Sequence, residues 1–336
     1  VNEELIVAVL GGRARAIARL ITLVENSATA AETAVAALYP HTGKAHLIGI
    51  TGPPGSGKST LVTEIAKQFR QQAQRVAIIA VDPSSPFTGG ALLGDRVRMR
   101  DLAGDSGVFI RSMASRGSLG GLAQAAWAAM KVLDAAGFDK ILVETVGAGQ
   151  AEVDIAQAVH TTLVIETPGM GDDVQAFKAG ILEIADILVV NKADRPGSDR
   201  VIRSLELMLH LGPAGGTRHH GRLLSPPAPA TNGTTVGWQI PVLPTTASSG
   251  QGITELVGQI QWHQSYLQQS GEWHKREQAR CAHELRQLLQ IRLLARLGTA
   301  VAPLELDALV TAVAAREIDP YTAVNQLFSQ LTERAL

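Results

Sequence analysis

Seven short runs of apolar and β-branched residues punctuate the middle of the chain: LIGIT, RVAIIAVD, VFIRS, KILVET, TTLVIET, DILVVN and IPVLPTT. Segments with helical periodicity separate them. Alternation of this kind predicts repeated βα units, and so an α/β fold built on a doubly wound, mostly parallel sheet. On either side the pattern changes. Residues 1 to 46 read as helical, and RARAIARLITLVENS places Ala16, Leu20, Leu23 and Val24 on one face with arginines opposite. From about Gly252 onward no run has the character of a strand. ARCAHELRQLLQIRLLARL repeats apolar residues at 282, 285, 289, 293 and 297. DPYTAVNQLF then offers Asp319 as N-cap and Pro320 at the first helical position, followed by Val324, Leu327, Phe328 and Leu331 at i, i+3, i+4, i+7. These apolar stripes suit either a cap on the sheet or an oligomerisation arm. The expected division is an N-terminal helical segment (1–46), a central domain (47–260) and a C-terminal helical arm (261–336). Between Gly212 and Trp238 the chain is rich in Gly, Pro, Ser and Thr and predicts a surface loop; His219 and His220 within it read as solvated side chains.

Composition narrows the function classes. Of 336 residues 46% are apolar, enough for a buried core, and 30 Lys plus Arg face 31 acids. That balance gives no basic field for nucleic acid. A single cysteine, Cys281, excludes an internal disulfide framework and most cysteine-based metal sites. Apolar runs such as LIVAVL and VAIIAV fall far short of the ~18 residues that span a bilayer. The first follows two glutamates instead of a basic segment, so neither a signal peptide nor a membrane partner is expected, and the location expected is cytoplasmic.

Candidate chemistry begins at GPPGSGKS, after the strand LIGIT and before the helix KSTLVTEIAKQF. Gly52, Pro53, Pro54, Gly55, Ser56, Gly57, Lys58, Ser59 and Thr60 form a phosphate loop in this reading. Its backbone N–H groups face the phosphates and the helix N-terminus adds its positive dipole end. Lys58 reaches the β and γ phosphates, and the Ser59 hydroxyl coordinates Mg²⁺. NKAD, Asn191 to Asp194, directly follows another strand. The Asp194 carboxylate can accept from both N1–H and the exocyclic amine of guanine, whereas adenine offers no matching donors. Lys192 can lay its stem along the base. That choice selects GTP and GDP over adenine nucleotides. TTASSGQGI supplies a second base-contacting loop, with Thr246, Ala247 and Ser248 at its centre. Asp82, Asp95 and Glu144 join Ser59 as hard oxygen ligands of the kind Mg²⁺ takes, directly or through water. In KILVETVGAGQAE the strand ends on Glu144, and the Gly147 amide is placed to sense the γ-phosphate. Lys58, Asp82, Glu144 and Gly147 are therefore the expected catalytic set. No glutamine directly follows Gly147, which predicts slow hydrolysis without a partner.

Assembled, these residues resemble the MeaB/ArgK family, the methylmalonyl-CoA mutase-associated GTPases of the G3E group of P-loop proteins. The resemblance covers nearly the whole chain. It rests on GGRARAIARLITLVEN, on DPSSPFTGGALLGDRVRM as switch I, on ETVGAGQAE as switch II, and on PGMGDDVQAFKAGILEIAD as a third switch before NKAD. Ala151 departs from the serine frequent in relatives, and the 212–238 loop is longer. The resemblance implies a homodimer joined through C-terminal helices and an adenosylcobalamin-dependent acyl-CoA mutase as partner, with GTP gating cofactor loading and protecting the mutase. It also implies that Asp172 and Lys178 couple nucleotide state to that partner; the alternative for Asp172 and Asp173 is plain capping of the following helix. Two other functions compete. A GTP-dependent nickel-insertion protein requires Cys or His ligands in the switch region, and Val81 to Glu152 contains neither. A P-loop kinase requires an acceptor pocket and a base for the acceptor hydroxyl, and the sequence presents no such constellation.

Overall fold

The computed structural model describes residues 1–82, 99–102, 104–114, 124–145, 151–169, 181–211, 218–219, 222–223, 237–300 and 303–334. It divides into two compact units, Val1–Arg280 and Cys281–Leu336. Each of the seven apolar runs contributes a strand to one sheet: β1 (His46–Thr51), β2 (Val76–Asp82), β3 (Val108–Ala114), β4 (Lys140–Thr145), β5 (Thr161–Glu166), β6 (Ile187–Asn191) and, after a small antiparallel pair β7 (Arg218–His219) and β8 (Arg222–Leu223), β9 (Val242–Thr245). The order is β3-β2-β4-β1-β5-β6-β9 and every pairing is parallel. Parallel strands need crossovers, and the helices that supply them cover both faces, which is why these strands read as near-continuous apolar runs.

The helices in chain order are α1 (Glu3–Leu10), α2 (Ala14–Asn26), α3 (Ala28–Leu38), α4 (Lys58–Gln71), α5 (Gln124–Ala135), α6 (Ala151–Ala158), α7 (Ile181–Ile184), α8 (Ser198–Leu211), α9 (Ile253–Gln269), α10 (Glu272–Ala300), α11 (Pro303–Ala314) and α12 (Pro320–Arg334). On one face of the sheet, Leu61, Ile65 and Phe69 of α4 and Leu256, Val257 and Ile260 of α9 pack on Ile48, Ile50, Ile78 and Leu142. On the other, α1–α3 and α5 share a core with Ala77, Ile79, Ile141 and Val143, so the N-terminal helices are part of the sheet's own packing.

The buried face of α2 consists of Ile17, Leu20, Ile21 and Val24. The expected face is corrected by about one position: Leu20 and Val24 are buried, but Leu23 is 37% exposed and Ala16 lies at the core's edge. Ile17 and Ile21 complete an unbroken i, i+3, i+4, i+7 stripe with Leu20 and Val24, and burying both isoleucines turns Leu23 outward.

In the second unit Asp319 caps α12 as the sequence predicts. Its Oδ1 accepts from the amides of Tyr321 (2.9 Å) and Thr322 (3.0 Å), with Pro320 at the first helical position. Little apolar surface is sequestered there: Leu285, Leu289, Leu293, Val310 and Phe328 are all exposed, and among the described residues of this unit only Ala323 is buried. Among the described residues no helix is long and apolar enough to cross a membrane.

Candidate functional site

The loop from Gly52 to Gly57 leaves the C-terminal end of β1 and enters α4. Gly52 has φ +143°, and a Cβ there would stand 2.2 Å from the carbonyl oxygen of Ile165 on β5. Only glycine can turn out of the sheet at that point. Gly57 is the N-cap of α4 with φ +88°, and its missing side chain makes room for Asn191, whose Nδ2 would otherwise lie 2.5 Å from a Cβ. A glycine N-cap offers no side-chain acceptor, so the first-turn amides and the positive helix end are left for an anion. Lys58 folds over this loop, its Nζ donating to the carbonyls of Gly52 and Pro53, both at 2.9 Å. Pro54, Gly55 and Thr60 are exposed around the loop, while Ser56, Lys58 and Ser59 are buried.

Glu144 lies beside the loop because of strand register. It sits opposite Ile50 of β1 on one side and Ala80 of β2 on the other, near the C-terminal edge of the sheet. Its carboxylate is buried, and Oε1 accepts a 2.7 Å hydrogen bond from the Ser59 hydroxyl. The next residue, Thr145, donates its hydroxyl to that of Thr51 at 3.1 Å, tying β4 to β1 where the phosphate loop departs. Asp82 closes β2, the neighbour of β4. Asp95, Gly147, Asp172 and Lys178 lie outside the described residues, as does His220.

The loops expected to read the base meet the phosphate loop at Asn191, a buried residue at the end of β6. Its Nδ2 donates to the Ser56 carbonyl at 2.8 Å, and its Oδ1 accepts from the Ala247 amide at 3.2 Å and the Thr245 hydroxyl at 3.3 Å. Lys192, in a left-handed conformation (φ +58°), donates from Nζ to the Gly55 carbonyl at 2.6 Å. The Ala193 amide donates to the Thr245 carbonyl at 3.0 Å. Asp194 projects from this turn as an exposed carboxylate; Thr246 and Ala247 are buried beneath the second loop and Ser248 is exposed at its tip. Gly252 ends that loop at φ +76°, where a Cβ would stand 2.4 Å from the Pro244 carbonyl. Three loops expected separately to contact phosphate and base are thus fastened to one another through one side chain. Sequence reasoning placed Asn191 in the motif but did not find this tie, which needs strand order to be seen.

A family model described as Methylmalonyl Co-A mutase-associated GTPase MeaB matches residues 17–302. The chain belongs to this family. It is a P-loop GTPase. A Pyrococcus abyssi protein that carries a GTPase designation is 44% identical over 329 residues, covering 98% of this chain and 96% of its own length. The GTPase ArgK of Escherichia coli is 36% identical over 273 residues, 79% of this chain and 80% of that protein. A crystal structure described as an LAO/AO transport system kinase superposes with a TM-score of 0.73 at 26% identity, covering 99% of both chains. The match covers NKAD as well as the phosphate loop, and its range spans all the site residues named from the sequence.

Proposed function

We propose that this chain is a Mg²⁺-dependent GTPase that serves as chaperone to an adenosylcobalamin-dependent acyl-CoA mutase, gating cofactor loading and protecting the mutase. The observation that carries the hydrolytic part is the Ser59–Glu144 pair, 2.7 Å apart at the mouth of the phosphate loop. A hydroxyl and a carboxylate are hard oxygen donors, the set Mg²⁺ selects, and Asp82 and Asp95 complete the ligand group proposed from the sequence. When bound, Mg²⁺ neutralises charge on the β and γ phosphate oxygens. The protein supplies the remainder. Lys58 exchanges its two loop carbonyls for phosphate oxygens, the first-turn amides of α4 hold the phosphates, and Asp194 selects guanine. The Gly147 amide senses the γ-phosphate, and no glutamine positions the attacking water, so hydrolysis is slow until a partner completes the site.

The family's own description supports the mutase assignment. Asp172 and Lys178 are the residues proposed to carry nucleotide state to it. The exposed apolar residues Leu285, Leu289, Leu293, Val310 and Phe328 support a homodimer through residues 261–336, with 1–46 as helical segment and 47–260 as the nucleotide domain. The test is hydrolysis of γ-labelled GTP and ATP by the purified full chain with Mg²⁺, alone and with methylmalonyl-CoA mutase carrying adenosylcobalamin. Expected are release of label from GTP only and acceleration by the mutase. Equal turnover of ATP, label appearing on an acceptor other than water, or no effect of the mutase contradicts the proposal.

A further inference from the structure

The opposite edge of the sheet holds a second group of buried polar side chains that nucleotide chemistry does not use. His46, Lys140 and Thr161 are the first residues of β1, β4 and β5, and Asp186 immediately precedes β6. His263 of α9 and Arg276 of α10 close over them, and all six are buried. Thr161 Oγ1 lies 2.7 Å from His46 Nε2 and 2.8 Å from His263 Nδ1. A hydroxyl has one proton, so it can donate to at most one of the two rings.

The charges at the two ends decide which. The Lys140 ammonium faces His46 Nδ1 at 3.5 Å and donates to Gln264 Oε1 at 2.6 Å. An ammonium faces a bare nitrogen, not an N–H, so the His46 proton sits on Nε2 and points at Thr161. At the other end the Asp186 carboxylate faces His263 Nε2 at 3.5 Å, an ion-pair contact longer than a hydrogen bond. A carboxylate faces an N–H, so in the neutral ring His263 Nδ1 is bare and accepts from Thr161. The two assignments are independent and agree at the shared hydroxyl; reversing either would set two donors or two acceptors against it. Asp186 is held in turn by Arg276, with contacts of 2.9 and 2.8 Å, and accepts from the Thr162 amide at 2.8 Å. Arg276 also donates to the His160 carbonyl, and Trp273 stacks on the His160 ring at 4.0 Å between centroids.

We propose that Lys140, His46, Thr161, His263, Asp186 and Arg276 form a one-way polar latch that seats the first turns of α10, as far as Arg280, on the edge of the sheet opposite the phosphate loop, and that opens when Thr161 cannot donate. The order of polar groups is what makes it a latch: each member is oriented by the one before, so one wrong proton position disrupts the chain from Lys140 to Arg276.

Nitrogen–proton correlation spectra of the histidine rings in the full chain test the polarity directly and need no variant. Both His46 and His263 are expected as neutral rings carrying the proton on Nε2. Amide hydrogen exchange then tests the latch. Thr161→Val keeps the side-chain shape but removes the hydroxyl, and is expected to raise exchange across residues 272–280 by about tenfold or more while exchange within α4 stays within about twofold. Thr161→Ser, which restores the hydroxyl, is expected to return exchange to that of the unsubstituted chain. A proton on Nδ1 of either ring, unchanged exchange at 272–280 in Thr161→Val, or an equal rise throughout the sheet and α4 overturns the proposal.

Discussion

Removing the Asn191 side chain isolates the tie that joins the phosphate loop to the NKAD loop and the loop at 245–248. Asn191→Ala deletes three hydrogen bonds from a residue only 2% exposed. The bond to the Ser56 carbonyl, at 2.8 Å, has full strength and contributes roughly 1–1.5 kcal/mol. The bonds from Thr245 and Ala247, at 3.3 and 3.2 Å, share one oxygen, and together contribute about 1 kcal/mol. A hydroxyl can turn to another partner, but the buried Ala247 amide cannot, and stranding it costs about 1 kcal/mol more. Unfolding of the Val1–Arg280 unit should therefore become easier by about 3 kcal/mol, which urea denaturation followed by tryptophan fluorescence measures. Nucleotide affinity should fall as well. In the unsubstituted chain the three loops are already in register, whereas in the variant the ligand must order them on binding. A cost of roughly 1.4 kcal/mol for that ordering is a tenfold loss, readable by titration with a fluorescent GDP.

Asn191→Asp sharpens the reasoning. It keeps an acceptor for Ala247 and Thr245 but sets a carboxylate oxygen against the Ser56 carbonyl. It should cost at least as much stability as Asn191→Ala, although it is the smaller change in shape. If both variants unfold within about 0.5 kcal/mol of the unsubstituted chain and bind GDP within twofold of it, Asn191 does not fasten the loops.

Two further outcomes follow from separate parts of the structure. Gly52→Ala forces both a Cβ into the Ile165 carbonyl and a side chain onto φ +143°; relief requires moving backbone, so the variant should lose measurable GTP binding even where circular dichroism shows a folded sheet. Burial lowers the His160 imidazole to about 4 despite the opposing Glu277 carboxylate, so between pH 6.5 and 4 the unfolded chain binds a proton that the folded chain refuses. Stability should consequently fall as pH drops through that window, by about 3 kcal/mol at its lower end, and His160→Gln should flatten that part of the urea-midpoint profile; a profile that keeps its full slope in the variant removes His160 as the cause.

Legibility in the sequence divided along physical lines. Each strand of the sheet was readable because both faces are covered, so apolar residues run unbroken and the signal is local. The phosphate loop was readable because glycines, lysine and serine must occur at fixed spacing within one turn. The face of α2 was placed about one position off, because Leu23 extends the apolar stripe in sequence while the core has room for Ile17 and Ile21. Nothing in the local pattern announced the latch, whose members come from six separate segments. Each is an isolated polar residue at a strand's start or on a helix, and strand order alone brings them together. One trace was present: His46, Lys140 and Thr161 stand directly before apolar runs, an unusual place for polar side chains to be fully buried.

The hydrogen bonds around the site also separate a fixed side from a responsive one. On the fixed side Asn191, Lys192 and Ala193 bond to the backbone or side chains of residues 55–56 and 245–247. β6 leads into this set, directly follows Asp186, which Arg276 and the Thr162 amide hold, and is buried throughout its five residues. A strand fastened at both ends and buried along its length has little freedom to move with the nucleotide. Such a frame suits guanine, which is the same in GTP and GDP. The γ-phosphate differs between them, and groups that respond to it must be able to exchange partners. Ser59, Glu144 and Lys58 suit that requirement: the hydroxyl–carboxylate bond of Ser59 with Glu144 and the two bonds from Lys58 to loop carbonyls can each be replaced by one to a metal or phosphate oxygen.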